Sequence, residues 1–341
     1  MKRNLDRTAK SMVAECVSQQ DGRFGTPMSN SIKQFVKRLL GKKTAAISVA
    51  QAIKTQIWSI GIYAGKSPLE LGPAHRVSNP VLTSDSVSDV RATLVADPFM
   101  LQAQGSWYMF FEVMNAHTGK GEIGLATSKD AVQWHYRQIV LQEAFHLSYP
   151  YSFEWENGYY MVPESYQAKS VRLYKAVEFP TRWSFVTTLL DGDDFVDPTI
   201  FHFKDHWWLF TDLSRPPYYA GTLRLFHADR LEGPWAEHPQ SPVVEANPHI
   251  ARPAGRVVIL DGKLIRYTQD CCPEYGLRVQ AFEITELTST TYREQAVDLP
   301  PIVEASGKNW NQSGMHHVDP HRIVDGEWIA CVDGFYWKIS S

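Results

Sequence analysis

Five pairs of a polar residue followed by proline recur along the chain at intervals of about 50 residues. The polar members, called the start residues below, are Asp97, Tyr149, Asp197, Arg252 and Asp319. Apolar and aromatic residues follow each pair, and each segment ends on an acidic residue, namely Glu112, Glu164, Asp212, Asp270 or Asp333. Carboxylates held close together shift one another's pKa values apart, so that one acts as an acid and another as a base. The five segments therefore carry the residue types of an acid–base site.

The spacing inside these segments indicates the element that positions the acidic residues. The offset from start residue to acidic residue is 15 positions in the first three segments (97 to 112, for example), 18 in the fourth and 14 in the fifth. A short polar turn divides each segment, as at Asn157-Gly158 and Asp261-Gly262. Asn-Gly and Asp-Gly between β-prone runs are the strongest short-range hairpin signal. Each segment is therefore predicted to be a hairpin of two strands.

A second pair of extended runs follows each of the first four hairpins, for example Gly124–Thr127 and Arg224–His227. Four strands repeated five times are typical of a five-bladed β-propeller. A β-sandwich with evenly spaced hairpins is the alternative, but it does not require the same residue class at the same point of each hairpin. We therefore expect an all-β protein, a five-bladed β-propeller with a short N-terminal helical arm.

A propeller arranges the first strand of every blade around its central axis. The five start residues are thus expected to converge on one funnel, where three carboxylates, a phenol and a guanidinium would form a polar site. Glu112 and Glu164, at the ends of second strands, add candidates nearby. The structural alternative is that an Asp-Pro pair caps a turn and contacts only backbone.

The N-terminal segment differs in charge from the rest of the chain. Residues 1–43 hold ten Lys and Arg against three Asp and Glu, a balance of +7, although the 341-residue chain carries a net charge of −3. Apolar residues at helical spacing between positions 31 and 40 predict a short basic amphipathic helix. Such a helix suits a membrane surface or a partner protein, or it caps the propeller with its apolar side inward. We expect an arm over residues 1–57 and the propeller over residues 58–341.

Composition adds a few limits. The aromatic fraction is 12% with 11 Trp, and aromatic faces serve sugar clefts as well as blade packing. The four cysteines are too few and too irregular for a disulfide framework. Because the first residues lack the apolar stretch of a signal peptide and no run of about 18 apolar residues exists, a cytoplasmic location is expected.

Longer motifs carry a family resemblance. At the level of the fold, the Asp-Pro starts resemble the five-bladed glycoside hydrolase superfamily of arabinanases, β-xylosidases, levansucrases and invertases. More closely, the sequence resembles the N-terminal propeller domain of plant glucosamine inositolphosphorylceramide transferases and its free-standing bacterial relatives. The resemblance runs from about Trp58 to Trp337 and rests on Val95–Phe99, Gly121–Ser128, His146–Tyr151, Met161–Ser165 and Ala251–Arg256.

The resemblance implies roles for individual residues. In the hydrolase superfamily the working residues are an Asp of the first blade as base or nucleophile, a second Asp that orients, and a Glu as general acid. Asp97 matches the first role and Asp197 the second. Arg252 stands where an arabinanase-type enzyme carries its acid, and Tyr149 stands where many relatives have Asp. Either Glu164 acts as the acid, or hydrolysis has been lost.

The basic side chains of the funnel indicate an anionic ligand. Arg252 and Arg256 either neutralise carboxylates in structural ion pairs or offer a fork for a ligand phosphate or carboxylate. Together with His249, His316 and His317, they suit an anionic glycan such as a phosphoinositol head group. The expected substrate-binding set is Glu112, Tyr149, Arg252, Arg256, Asp270, His317 and Asp319.

Two functions remain open at this stage. In the first, Asp97 is base or nucleophile, Glu164 is the acid and Asp197 orients in the hydrolysis of an anionic or phosphorylated glycan. In the second, the same funnel recognises a glycan or glycolipid head group without bond cleavage, beside a glycosyltransferase. A metal ion near His317 and Asp319 is a minor alternative, because two ligands fall short of the oxygen-rich shell that calcium prefers. No cofactor and no nucleic-acid partner is expected, and the basic arm offers weak membrane or protein contacts.

Overall fold

The computed structural model describes residues 53–213, 221–323 and 326–340. Within these ranges, five antiparallel sheets follow one another along the chain. Each sheet has four strands in its main path, and the fourth carries one additional short strand. This arrangement confirms the predicted five-bladed β-propeller. The predicted helix of the arm lies outside the described residues.

The strands are numbered in chain order. The first two are β1 (Ile53–Ser67) and β2 (Glu70–Pro73). Blade 1 holds β3 (Ala92–Ala103), β4 (Ser106–Asn115), β5 (Lys120–Ser128) and β6 (His135–Leu141). Blade 2 holds β7 (Ser148–Trp155), β8 (Gly158–Glu164), β9 (Ser170–Glu178) and β10 (Arg182–Asp191). Blade 3 holds β11 (Phe195–Phe203), β12 (His206–Leu213), β13 (Leu223–Ala228) and β14 (Ala236–Glu237).

Blade 4 holds β15 (Val258–Leu260), β16 (Lys263–Asp270), β17 (Arg278–Leu287), β18 (Tyr292–Ala296) and the short β19 (Val303–Glu304), which pairs with β17. The last two strands are β20 (Val318–Arg322) and β21 (Trp328–Ser340). The helices of the described residues are three single 3₁₀ turns, at Ser84–Ser86, Tyr166–Ala168 and Asn309–Asn311. None of these turns is long enough to cross a membrane, and in the described ranges no other helix is present to do so.

Blade 5 is built from both ends of the described chain. Its strand order is β2-β1-β21-β20, so the two earliest strands complete the sheet that the last two begin. The β1–β21 ladder runs without a register shift from Ile53 opposite Ser340 to Gly65 opposite Trp328. The first strand thus starts at Ile53, ahead of the residue 58 expected as the domain start. No second pair of strands follows the fifth sequence segment, and β1 and β2 take the place of that pair in blade 5.

Three of the five start residues lie in β-bulges. Asp97, Tyr149 and Asp197 have positive φ angles of 52°, 45° and 49°. Strand pairing shifts at each of them; in blade 1, for example, Ala96 pairs with Glu112 but Phe99 with Phe110. A bulge leaves an extra residue outside the ladder and re-aims its side chain. Since proline has no N–H to give to a ladder, a residue-proline pair suits this position.

The start residue of blade 5 lies at a different level, meaning a different position along its hairpin, from the bulged start residues. Asp319 pairs with Cys331, two residues before the terminal acid of its hairpin. The same level is occupied by Phe99, Tyr151, Thr199 and Pro253 in the other blades. Asp319 therefore matches Phe99 and not Asp97, because blade 5 pairs in regular register where blade 1 has its bulge. The equivalence of all five start residues, read from the prolines, is wrong at this position.

Apolar side chains between the blades hold the ring together. Ile60 and Ile62 of β1 are fully buried and pack with Val95, Met100 and Phe111 of blade 1. Phe99 and Tyr149 belong to another cluster, which joins blades 1, 2 and 3. Burial of such side chains contributes about 1.5 to 3 kcal/mol each, so the interfaces between blades fix where the start residues lie.

Candidate functional site

Asp97 lies at the axis in the bulge of β3 with 6% of its surface exposed. Its backbone N–H donates to Oδ2 of Asp333 over 2.9 Å. Its own carboxylate has one side-chain partner among the described residues, Nε2 of His316 at 3.5 Å from Oδ1. Burial raises the pKa of Asp97 against the lowering effect of His316, and the nearby Asp197 carboxylate adds to the rise. Asp97 is therefore a buried carboxyl with few protein partners for its oxygens among the described residues.

Asp333 and His316 support Asp97 from blade 5. Asp333 is fully buried, and its Oδ1 lies 2.7 Å from Nδ1 of His316. Burial alone would raise the pKa of Asp333, but His316, His317 and the N–H of Asp97 together hold it below its usual range. His316 packs against Trp58 with 4.3 Å between ring centroids. The imidazole is thus fixed between two carboxyl groups.

Asp197 forms the centre of a second group. Its bulge N–H donates to Oε2 of Glu164 over 2.9 Å, and its Oδ2 accepts from Nε of Arg252 at 2.5 Å and from Gln269 at 2.8 Å. Burial raises the pKa of Asp197 to about 6, although Arg252 lowers it. Nη2 of Arg252 also lies 3.9 Å from Glu164. Arg252 therefore neutralises the carboxylates it meets.

Tyr149 links three blades and is fully buried. Its hydroxyl lies 2.7 Å from Oγ1 of Thr199 and accepts the N–H of Gly255 over 2.6 Å. Gly255 has φ +135°, and a Cβ there would lie 1.8 Å from the carbonyl oxygen of Val318. Only glycine lets the backbone approach this closely. The phenol of Tyr149 is thus engaged by protein groups at the axis.

Arg256 and Asp319 form a deeper ion pair. Nε of Arg256 lies 2.7 Å from Oδ1 of Asp319, and Nη2 donates to the carbonyl oxygens of Met100 and Ser152. Burial alone would raise the pKa of Asp319, but Arg256 and His321 hold it well below its usual range. The Asp319 carboxylate also accepts the N–H of Met100 over 2.7 Å. This pair ties blades 1, 2, 4 and 5 together.

His317 is fully buried between the two levels, and neither ring nitrogen has a hydrogen-bond partner in the described part of the chain. Its ring lies 4.6 Å from that of Phe99 and 5.4 Å from that of Tyr149, centroid to centroid. Burial lowers the pKa of His317 despite Asp333 and Asp97. His317 is therefore an imidazole on the axis whose charged form burial disfavours.

The remaining acidic residues form separate pairs around the axis. Glu112 lies 3.5 Å from Nε2 of His146. Asp270 lies 2.8 Å from Nδ1 of His249 and 3.0 Å from Arg278. Asp212 accepts the N–H of Thr222 over 2.6 Å. These carboxylates share a level with the axial groups, and the contacts named here link each of them to its own blade or to a loop beside it.

One group in the described ranges has ligand atoms close enough for a metal ion. Oxygens of Asp97 and Asp333 and a nitrogen of His316 lie within 4.8 Å of one another. Asp333 already accepts hydrogen bonds at both oxygens, and Nδ1 of His316 faces one of them. That leaves the Asp97 carboxylate and Nε2 of His316, two residues where a zinc site uses three or four protein ligands. We therefore treat the group as a hydrogen-bonded cluster.

The sequence named most of these residues but not their partners. One end of the axis holds Asp97, Glu164, Asp197 and Arg252. The pair of Arg256 and Asp319 lies deeper along the axis than this group. The sequence marks Asp333 only as the end of a hairpin, although its place in the repeat matches that of Glu112. Gln269, which binds Asp197, carried no pattern that could have revealed it.

Solved structures place the fold among the propellers of glycoside hydrolases. The catalytic domain of an α-L-arabinofuranosidase from Coprinopsis cinerea aligns with a TM-score of 0.56 at 13% identity, over 81% of this chain and 96% of that one. An exo-β-1,3-galactanase from Phanerochaete chrysosporium, solved with galactose, aligns with a TM-score of 0.52 at 16% identity, over 64% and 52%. At these identities the likeness defines the class of fold, a five-bladed propeller like that of these hydrolases.

Sequence comparison gives the family. The profile of "Glucosamine inositolphosphorylceramide transferase 1, N-terminal" matches residues 51–335, and the chain belongs to this family. A glucosamine inositolphosphorylceramide transferase 1 from Oryza sativa subsp. japonica is 37% identical over 296 residues, and one from Arabidopsis thaliana is 36% identical over 299. Each match covers 81% of this chain. The matched part is about 40% of the length of these relatives.

Proposed function

We propose that this propeller is a glycan-recognition domain that binds an amine-bearing sugar at the end of the axis occupied by Asp97. The relatives are named glucosamine inositolphosphorylceramide transferase 1, and the glucosamine in that name motivates the ligand class. In this proposal the ligand is bound and not cleaved.

The observation that carries the proposal is the small number of protein groups that contact the Asp97 carboxylate. Its one side-chain partner in the described chain is His316 at 3.5 Å, whereas Asp197 accepts from both Arg252 and Gln269. A carboxylate bound to a charged donor forms a stronger hydrogen bond than a neutral pair does. An ammonium group at Asp97 would use the acceptor capacity that the fold leaves open.

The charge around the axis favours a cationic ligand over an anionic one. Seven carboxyl groups lie at this end: Asp97, Glu112, Glu164, Asp197, Asp212, Asp270 and Asp333. The arginines nearby are already paired, Arg252 with Asp197 and Arg278 with Asp270. Arg256, expected from sequence to hold an anion, is engaged by Asp319 and two carbonyl oxygens. A phosphate at Asp97 would meet carboxyl groups there, while Arg252 and Arg278 are already paired.

Recognition is favoured over hydrolysis by the surroundings of Glu164. A general acid must hold a proton, but Glu164 accepts the N–H of Asp197 and has Arg252 at 3.9 Å. Both contacts engage Glu164 as an acceptor inside the protein, where a general acid would have to face the bond it protonates. Hydrolysis stays a second candidate because the pKa of Asp97 is raised by burial, as a general base requires.

Calorimetry on the full chain tests the proposal with glucosamine, glucose, N-acetylglucosamine and inositol phosphate as probes. We expect glucosamine to bind best, and Asp97→Asn to weaken it by about tenfold, because a hydrogen bond to a charged group contributes about 1.5 to 3 kcal/mol. Asp298→Asn, at an exposed carboxylate, is the matched control. Equal binding of glucose and glucosamine would refute the amine contact.

The same experiment separates recognition from hydrolysis. A disaccharide with a glucosamine unit is incubated with the wild type, and product release is measured by chromatography. Binding without release supports the recognition domain. Release that Asp97→Asn and Glu164→Gln both abolish would establish the hydrolase.

A further inference from the structure

The two central strands of blade 5, β1 and β21, extend beyond the level of the terminal acidic residues. Seven strand residues follow Asp333 in β21 (334–340), against three after Glu112 in β4 (113–115) and none after Glu164 in β8. β1 pairs with this extension along its whole length. At about 3.3 Å per residue, the extension rises roughly 20 Å beyond Asp333. Blade 5 therefore forms a wall beside the end of the axis where Asp97 lies.

One face of this wall is turned toward the axis. Alternate residues of a strand share a face, so Phe335 and Trp337 lie on the same side as Asp333. Both rings pack in a cluster with Ala96 of blade 1 and Tyr275 of blade 4. A face of blade 5 that contacts both neighbouring blades is its inner face. Phe335 is fully buried and Trp337 is half-buried, so the inner face becomes accessible at Trp337.

The indole of Trp337 is held by its polar edge. Its Nε1 donates to Oε1 of Glu274, in the loop between β16 and β17, over 3.0 Å. The Phe335 ring meets it at an interplanar angle of 90° with 5.7 Å between centroids. The ammonium group of Lys54, an exposed side chain, lies over the ring at 4.4 Å from its centroid. Because the lysine stem is flexible, a ligand can take the place of this ammonium group on the aromatic face.

Polar groups border the same ring. Gln56 lies directly opposite Trp337 in the ladder, and its Oε1 accepts the indole N–H of Trp58 over 3.2 Å, which leaves its NH₂ group as a donor. The half-buried Glu274 carboxylate has a second oxygen as an acceptor. Small-molecule sites combine an apolar or aromatic surface with a few placed polar groups. A sugar ring matches this combination, with C–H groups for the indole and hydroxyls for the amide and the carboxylate.

We propose that Trp337 is the platform for a further sugar unit of the ligand, beyond the amine-bearing unit at Asp97. This inference deepens the proposed function and rests on it for the position of the first unit. Trp337 lies four residues beyond Asp333, about 13 Å along the strand, a distance that one sugar ring does not span. The ligand is therefore an oligosaccharide that extends from the acidic end of the axis along the inner face of blade 5.

Calorimetry on the full chain tests the platform with glucosamine and its β-1,4-linked trimer as probes. We expect the wild type to bind the trimer more tightly than the monomer. Trp337→Ala should weaken trimer binding by about tenfold and leave monomer binding unchanged, because only the trimer loses apolar contact with the ring. Trp337→Tyr keeps an aromatic face and should retain most of the trimer affinity.

Trp235→Ala is the matched control. Trp235 is also half-buried, and its indole donates to the carbonyl oxygen of Leu231 over 3.1 Å. It directly precedes β14, which pairs with β13 at Phe226 and His227, away from the end of β13 that pairs with Asp212. Replacement of this tryptophan should therefore change the affinity for neither probe.

A spectroscopic measurement reports on the ring itself. The indole ¹H–¹⁵N signal of Trp337, assigned with Trp337→Tyr, should shift on addition of the trimer and stay in place with the monomer. A Trp337 signal that does not respond to bound trimer would overturn the platform. The same conclusion would follow from equal monomer and trimer affinity in the wild type, or from Trp337→Ala weakening both probes equally.

A β-1,4-linked glucose trimer separates this inference from amine recognition. If the amine contact at Asp97 is wrong, both trimers bind the wild type equally well, and Trp337→Ala weakens both by the same factor. If the platform is wrong, the preference for glucosamine over glucose persists while Trp337→Ala leaves trimer affinity unchanged. Failure of the platform and failure of the proposed ligand are thus distinguishable.

Discussion

Asp212 shows what burial does to a single carboxyl at this end of the propeller. It is 5% exposed, and burial raises its pKa to about 7 although Arg252 and the N–H of Thr222 lower it. The folded protein therefore holds this proton at pH values where the unfolded chain, with a pKa of about 4, has lost it. Since the folded state binds more protons between these values, the contribution of Asp212 to stability is largest below about pH 4 and falls as the pH rises toward 7.

Asp212→Asn removes this pH dependence, because an amide keeps the acceptor for Thr222 without a charge. The variant should gain stability relative to the wild type as the pH rises from about 4 to 7, by at most about 1.4 kcal/mol per pH unit. Denaturant unfolding at several pH values measures the difference. Asp191→Asn, at an exposed carboxylate that ends β10, should show no such trend. A loss of stability that is constant with pH would contradict the assignment.

At the scale of the strands, the recurrent acidic residues have a structural use that their spacing did not reveal. Asp333 accepts the bulge N–H of Asp97 in the next blade around the ring, and Glu164 accepts that of Asp197 in the same way. An acid at the end of a second strand thus binds the backbone of the following bulge. In these two hairpins the repeated acid stabilises the joint between blades.

The hairpins and blades were predictable because local turn signals and repeat spacing determine them. The bulges were not predictable from the sequence. The same Asp-Pro pair occurs at Asp97-Pro98 and at Asp319-Pro320, although only the first lies in a bulge. The sequence also could not predict the ion pairs between carboxylates and cations. Arg252 and Asp197, for example, become neighbours only when blades 3 and 4 pack together. The assignment of catalytic and substrate-binding roles stays a prediction.

Tyr149 tests how blades are joined at the axis. Tyr149→Phe removes the hydroxyl that accepts the buried N–H of Gly255 and contacts Thr199. An unpaired buried donor costs about 1 to 3 kcal/mol, so thermal or denaturant unfolding should show a loss of that size. Tyr160→Phe is the matched control, since Tyr160 is 7% exposed in the same apolar cluster and its hydroxyl has no protein partner in the described chain. Equal losses in both variants would show that the hydroxyl of Tyr149 does not join the blades.

At the scale of the whole molecule, the propeller is closed by strands that are distant in sequence. The ladder between β1 and β21 joins residues more than 260 positions apart, and β1 also packs on blade 1 through Ile60 and Ile62. Blade 5 is therefore coupled to the rest of the ring through hydrogen bonds on one side and apolar contacts on the other. The sequence repeat could not show this closure because β1 precedes the first repeated segment.

Closure predicts that damage to β1 destabilises the whole propeller. Ile60→Ala removes a fully buried side chain and should cost about 2 to 5 kcal/mol, with circular dichroism and tryptophan fluorescence reporting one shared transition. Thr55→Ala, at an exposed position of the same strand, should change stability by no more than about 0.5 kcal/mol. Deleting residues 1–30, outside the described range, should leave the melting temperature nearly unchanged. Two separate transitions in Ile60→Ala would mean that blade 5 unfolds alone, and the ring would then not be held as one cooperative unit by its first strand.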